Sequence, residues 1–291
     1  MKAKKRDVLV VIAHPDDEIF ASGTICLCAE KGFRINVICA TDGEGGSRLH
    51  NISAHELAEL RRRELICSAR ALGASEVLFL GQADIAGSDG EGQGSWDQSK
   101  LIATLASIIR QNDPRLILTH GPLGGYGHPA HRLVHSSVMA AARAASYSGS
   151  IFSFAGRVRR AFFSWHFDQP SDILIDARGF LERRVASLSC HQSQLSYFLQ
   201  PYFPRTVRKF SSALFGLVFA FTEAGRKRVP IATPKRFFDK LPIEGLVLQK
   251  STDAARPNFF QEHCLNDNRV QIVRQGIATP IAAEDSDILR A

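Results

Sequence analysis

The sequence predicts an α/β fold, a mostly parallel sheet flanked by helices with a C-terminal extension. Two observations carry the prediction. Short continuous runs of Val, Ile and Leu, the pattern of strands covered on both faces, alternate with longer segments of helical periodicity. Such alternation requires right-handed crossovers and therefore parallel strands, the Rossmann-like arrangement. A third observation bounds the size: 291 residues with 45% hydrophobic content fit one large domain, or one domain with an appendage. The expected division is an α/β domain over 1–195 and a basic, apolar extension over 196–291 packed on the same domain.

The elements follow in order. Val8–Ala13 ("VLVVIA") is the first strand, and residues 17–31 form a helix with Asp16 or Asp17 to cap it and Gly32 to stop it. Arg34–Thr41 ("RINVICAT") is the second strand. The helix over Ser53–Gly73 opens with Ser53 and Glu56 at capping-box spacing. "EVLFL" (76–80) is a third strand, "DQSKLIATLASIIRQ" (97–111) a helix and "RLILTH" (115–120) a fourth strand. Two further strand candidates, "RRAFFSWHF" (159–167) and "DILIDA" (172–177), precede a helix from Arg178 to Cys190. Phe210–Phe221 is a run of 12 apolar or small residues between basic flanks. A bilayer span needs about 20, so the run is read as buried rather than transmembrane. The last 50 residues read as a loop-rich extension.

Composition narrows the function classes. The six cysteines (Cys26, Cys28, Cys39, Cys67, Cys190, Cys264) show no C-x-x-C spacing and stand mostly in apolar contexts, so they are expected to be reduced core residues. The apolar run after the basic start is too short for a secretory signal, which points to the cytoplasm. Residues 1–150 hold 16 basic and 16 acidic side chains while 151–291 hold 20 and 13, so the formal charge of +7 belongs to the second part. That local field suits an anionic substrate or peripheral contact with the inner membrane face. Nucleic acid is not expected, because the basic residues lack interleaved aromatics. "GEGG" (43–46) and "GEGQG" (90–94) do not make a dinucleotide loop and read as mobile loops over the site, and no P-loop is present.

In a doubly wound sheet, ligands gather at the carboxyl ends of strands. Two polar clusters stand at such ends: "AHPDDE" after the first strand and "THGPLGGYGHPAHR" (Thr119–Arg132) after the fourth. Taken alone, the first is equally consistent with a turn that caps a helix. The second alters the balance, because His128 and His131 are three apart around Pro129 at a helix start and both can face the space between the loops. His14, Asp17, His131 and a neighbouring acid or histidine then form a nitrogen-plus-carboxylate set without thiolate, suited to zinc or another first-row divalent ion. His120, which ends the fourth strand, is a weaker candidate, and His191 either lines the pocket or ends a helix.

These segments, with "ATDGEGGSR", "LRRRELICSARALG" and the closing "HQSQL" (191–195), resemble the PIG-L/LmbE-like N-acetylglucosaminyl de-N-acetylases, a family that includes deacetylases of the mycothiol and bacillithiol pathways. The resemblance spans roughly 7–195. It implies a zinc ion on His14, Asp17 and His131, Asp16 as general base, His128 as the histidine that stabilises the oxyanion, and Tyr126 as a mobile tyrosine that reaches the tetrahedral intermediate. Arg61 and Asp84 fall near positions that hold the sugar, with Arg62 an alternative to Arg61. The implied activity is removal of acetyl from an N-acetylated amino sugar, lipid-linked or otherwise anionic given the basic extension. Two alternatives stay open: a non-catalytic metal- and sugar-binding member of the fold, and a metal-dependent hydrolase of another bond.

The chemistry agrees with the implied roles. An amide is a poor electrophile and its amine a poor leaving group, so hydrolysis needs an activated water, charge stabilisation on oxygen and a proton for nitrogen. Zinc lowers the pKa of a water to about 7, and a carboxylate free of the metal can take the water's proton and pass it to the amine. One departure stands out: the family usually reads "HPDH" where this chain has Ala130. Loss of that acid is expected to lower the pKa of His128 and move the pH optimum toward acid.

Overall fold

The computed structural model describes residues 7–46, 52–84, 96–125, 127–154, 170–195, 198, 234–239, 241–250, 258–274 and 277–278. Nine strands among them make one sheet in the order β3-β2-β1-β4-β5-β7-β6-β8-β9. The strands β1 (Asp7–Ile12), β2 (Arg34–Thr41), β3 (Glu76–Gln82), β4 (Leu116–Thr119) and β5 (Ser150–Ser153) pair in parallel. The remainder, β6 (Ile173–Asp176), β7 (Ile243–Lys250), β8 (Val270–Arg274) and β9 (Ile277–Ala278), pair antiparallel. The helices are α1 (Ser22–Glu30), α2 (Ala54–Leu72), α3 (Gln98–Asn112), α4 (Pro129–Ala144), α5 (Leu181–Cys190) and the short α6 (Pro234–Asp239) and α7 (Phe259–His263).

The period of two in the strands builds a core on each face. Val8, Val10, Ile12, Ile35, Val37, Leu116 and Leu118 join α1 and α2 on one side. Leu9, Val11, Ala13, Ile38 and Ile117 join α3 and α4 on the other. Every residue of β1 is buried, the apolar run Val8–Ile12 and also Asp7, whose carboxylate accepts two hydrogen bonds from Arg34. The capping box of α2 forms as expected, with Ser53 Oγ accepting Glu56 N–H at 3.2 Å and Glu56 Oε2 accepting Ser53 N–H at 2.7 Å. Gly73 ends the helix in the left-handed region at φ 85°.

Three expectations need comment. The helix expected over 17–31 is split: Asp17–Ala21 is a 3-10 turn without a side-chain cap, and the α-helix starts at Ser22. Where the last 50 residues are described they add strands and a helix rather than loops alone, since β7 enters the sheet between β5 and β6 and β8 continues beyond them. Glu244 and Gly245 in β7 mask the strand pattern, and Glu244 is buried because its carboxylate accepts the Gly23 and Thr24 N–H groups at the start of α1 (2.6 and 2.9 Å). The cysteines are a correction: Cys67 and Cys190 form a disulfide between α2 and α5 with Cα atoms 5.8 Å apart, while Cys26, Cys28, Cys39 and Cys264 are free and buried. The pair is 123 residues apart in the chain, so no spacing rule marks it, and only the packing of the two helices brings it within bonding distance. The strand candidate 159–167 and the apolar run Phe210–Phe221 lie outside the described residues.

Candidate metal centre and active site

Strand order reverses between β1 and β4, the point at which α/β sheets open a crevice at their carboxyl ends. The loop after β1 brings His14, Asp16 and Asp17 to that crevice, the end of β4 brings His120, and the first turn of α4 brings His128 and His131. His14 Nδ1 lies 3.3 Å from His131 Nε2. Asp17 closes the triangle, Oδ1 at 3.2 Å from His131 Nε2 and Oδ2 at 3.5 Å from His14 Nδ1. These distances run through both Asp17 oxygens; among the described residues, the side chains whose single donor atoms converge are His14, His128 and His131, and Asp17, His120 and His131, with His131 common to both sets, so a divalent ion held here would draw on these histidines and Asp17.

The surroundings fix those donors. His131 Nδ1 is 3.2 Å from Gly124 O, and His14 Nε2 stands 3.1 Å from Asp84 Oδ1 as a charge contact, which leaves His131 Nε2 and His14 Nδ1 facing each other. Asp17 does not cap a helix. Its Oδ2 accepts the His14 N–H at 2.7 Å. Burial opposes charge on His14, yet Asp17 and Asp84 outweigh it and raise its pKa to about 10, which marks a place that favours positive charge. Burial likewise opposes ionisation of Asp17, and neighbouring histidines, His131 foremost, override it and hold the carboxyl well below its usual range. Two imidazoles and a carboxylate in a cation-seeking pocket match a divalent metal site.

His120 is the residue that sequence reasoning weighed too lightly. Its Nε2 accepts the Ala13 N–H at 3.1 Å, lies 3.3 Å from Asp17 Oδ2, and its ring stacks on His131 with centroids 4.0 Å apart. Burial and His131 push its pKa down to about 3, so it stays neutral and braces the ligand loop. Its place at the end of β4 was the available signal.

Asp16 sits beside this centre in a strained backbone conformation, φ 127° and ψ −16°, which costs of order 1–3 kcal/mol and persists only where the surroundings enforce it. Arg61, 3% exposed, donates from Nη2 to Pro15 O (2.6 Å) and Asp16 Oδ2 (3.0 Å), and from Nη1 to Gly43 O (2.9 Å). A Cβ on Gly43 would stand 2.6 Å from that guanidinium, and its φ of 77° suits glycine besides. The 43–46 segment is thus a cradle for Arg61. Among the described residues, Asp16 Oδ1 accepts no hydrogen bond. Burial raises the Asp16 pKa above the usual carboxylate value, with Arg61 opposing.

His128 is the N-cap of α4. Its Nδ1 accepts the Ala130 N–H at 3.3 Å, so the neutral ring carries its proton on Nε2, and the ring stands edge-on to His14 with centroids 4.7 Å apart. Burial, with His14 and His131, pushes its pKa down to about 4. Tyr126 lies outside the described residues. Arg62 pairs with Asp42 at 2.8 Å and covers the Phe79 ring. His191 is fully buried and does not line the crevice.

The Asp84 carboxylate contacts His14 Nε2 and accepts the Gly45 N–H (3.1 Å). An Asp84→Asn variant is expected to weaken zinc affinity by about 10–100-fold, with little change in KM once zinc is saturating. A sugar-holding role would instead raise KM and leave the metal affinity alone.

Comparison with known proteins follows the same geometry. Residues 9–142, which hold all of the centre, match the family described as PIG-L, GlcNAc-PI de-N-acetylase. A 1D-myo-inositol 2-acetamido-2-deoxy-alpha-D-glucopyranoside deacetylase of Acidothermus cellulolyticus is 30% identical over 236 residues, covering 66% of this chain and 80% of that protein. Among solved structures, the N,N'-diacetylchitobiose deacetylase of Pyrococcus horikoshii superposes with a TM-score of 0.56 at 22% identity, covering 89% of each chain. GalB, the 4-carboxy-2-hydroxymuconate hydratase of Pseudomonas putida KT2440, gives 0.57 at 20% identity over 87% of this chain and 99% of its own. At those identities the two structures speak for the shared fold alone. The sequence relationship, together with a matched segment that carries every residue of the centre, places this chain in the PIG-L family of de-N-acetylases.

Proposed function

We propose that this chain hydrolyses the N-acetyl amide of an N-acetylglucosamine-type sugar, with His14, Asp17 and His131 holding zinc or a similar divalent ion and Asp16 moving the proton. The family membership and the acetamido sugar named for the relative support the reaction. One observation supports the assignment of roles: Asp16, a partly buried carboxylate whose Oδ1 accepts no hydrogen bond among the described residues, stands next to His14, Asp17 and His131, whose polar atoms approach one another within 3.2–3.5 Å.

Zinc in such a site supplies Lewis acidity, lowering the pKa of a water and polarising a carbonyl. Asp16 takes the proton from the attacking water at Oδ1 and later delivers it to the departing nitrogen, a two-way task suited to a carboxyl with a raised pKa. Arg61 keeps Oδ2 in place meanwhile. His128 offers its Nε2–H to the carbonyl oxygen as negative charge develops there, without first having to gain a proton. Tyr126 remains the second donor that the family pattern implies.

The basic excess of 151–291 extends the proposal to an anionic or lipid-linked carrier of the sugar, handled in the cytoplasm or at the inner membrane face. Among the described residues no helix is long and apolar enough to cross a membrane. The test is a panel of free, nucleotide-linked and lipid-linked N-acetylglucosamine incubated with zinc-loaded protein. Acetate and free amine are expected in equal amounts from at least one member, abolished by a chelator and restored by zinc. Absence of amine from all three would reject the reaction.

A further inference from the structure

Glu18 follows the ligand Asp17 in the chain, yet its side chain turns away from the metal centre and is fully buried. A buried carboxylate is costly unless it is hydrogen-bonded, and this one has three partners. Its Oε1 accepts Ser68 Oγ–H from α2 (2.5 Å) and lies 2.6 Å from His191 Nε2, just past the end of α5. Its Oε2 accepts the N–H of Asp16 at 3.1 Å. The His191 ring is likewise wholly buried, and among the described residues its Nδ1 has no hydrogen-bond partner, so Glu18 is the one polar group it serves. Ser68 and His191 are the chain neighbours of Cys67 and Cys190, whose disulfide sets the spacing of the two elements that grip Glu18.

We propose that Glu18 and His191 are a positioning pair: through Glu18 Oε2 they hold the Asp16 backbone in its left-handed conformation and so aim the Asp16 carboxylate at the site of proton transfer. The inference rests on Asp16 as the general base and adds what keeps it there. Arg61 fixes Asp16 by its side chain and by the preceding carbonyl, while Glu18 fixes the amide between them. A group that only clamped α2 to α5 would have no need of Oε2 directed at Asp16.

Kinetics on free N-acetylglucosamine with zinc present, cobalt titration of metal-free protein, and hydrogen exchange of the Asp16 amide test the pair. His191→Phe removes the donor to Glu18 and is expected to lower kcat by about 10–100-fold, the penalty of a misplaced catalytic group. KM and cobalt affinity should stay within about twofold, and the Asp16 amide should exchange at least about tenfold faster once its hydrogen bond loosens. His191→Gln, which returns an N–H donor near the Nε2 position, should recover most of the lost kcat. Ser68→Ala, a milder change, should lower kcat less and in the same sense, and it decides the matter by the same readouts if His191→Phe does not fold. Wild-type kcat and exchange in a folded His191→Phe or Ser68→Ala variant would overturn the proposal, as would cobalt affinity falling in step with kcat. Asp16→Asn is the control: if it retains turnover, the base assignment fails and the pair loses its role. If Asp16→Asn is inactive while the pair's variants keep full kcat, the positioning proposal alone is lost.

Discussion

Asp16→Asn should lower kcat by about 10²–10⁴-fold, the usual worth of a positioned proton-transfer group, and leave the metal bound. That range equals roughly 3–5 kcal/mol of lost transition-state stabilisation. The substitution preserves volume and leaves an oxygen to accept from Arg61, so the loop should keep its shape. The proposed metal ligands are other side chains, so zinc content measured on the purified variant should match wild type. A non-catalytic binder would show no turnover to lose. The pH profile supplies a second check. With Asp16 as the proposed base, turnover needs it ionised, and burial raises its pKa above the ordinary carboxylate value, so kcat/KM should rise with pH along a limb that lies above that value. Arg61 holds the pKa down against burial. Arg61→Met therefore removes the lowering influence and should move the limb to higher pH. A limb that stays in place would assign it to another group.

The largest effect on stability is expected at the disulfide between α2 and α5. Closing a loop of 123 residues restricts the unfolded chain by about 5 kcal/mol in the chain-entropy account, and measured values for native disulfides run from about 2 to 5. A Cys67→Ser/Cys190→Ser double variant, or wild type in reductant, should unfold at a temperature lower by several degrees. Cys67 is exposed at the surface of α2, so a reductant can reach it. Identical melting of the oxidised, reduced and double-serine proteins would show that the link contributes nothing. Cys26, Cys28, Cys39 and Cys264 serve as internal standards for thiol counting, since burial pushes each of their pKa values up and keeps them unreactive.

Legibility in the sequence followed the physics of each element. β1 and β2 were readable because strands covered on both faces must be apolar throughout, and α2 because its capping box and terminal glycine are local chemistry. That His14, Asp17 and His131 gather at one place was readable because loops at strand ends expose their polar residues as compact clusters. β5 and β7 were not: β5 is only four residues long and β7 carries a buried glutamate beside a glycine. The supporting residues were harder still. Nothing local tells that Asp84 reaches His14, that Arg61 turns inward to Asp16, or that Glu18 meets a histidine 173 positions later. Those contacts exist only once helices and loops from distant parts of the chain have packed.

The carboxylate of Glu244 that closes the first turn of α1 has a kinetic meaning. It comes from a strand made 221 residues after Gly23, the residue whose amide it receives, and a Cβ at Gly23 would stand 3.0 Å from it. Pairings of such long sequence separation form slowly, because much chain must be ordered before they return any free energy. On the ribosome, the helix that carries the metal loop therefore waits for one of the last strands to emerge before its leading amides find their acceptor. A chain halted before that strand would hold every proposed metal ligand and still lack the brace behind them.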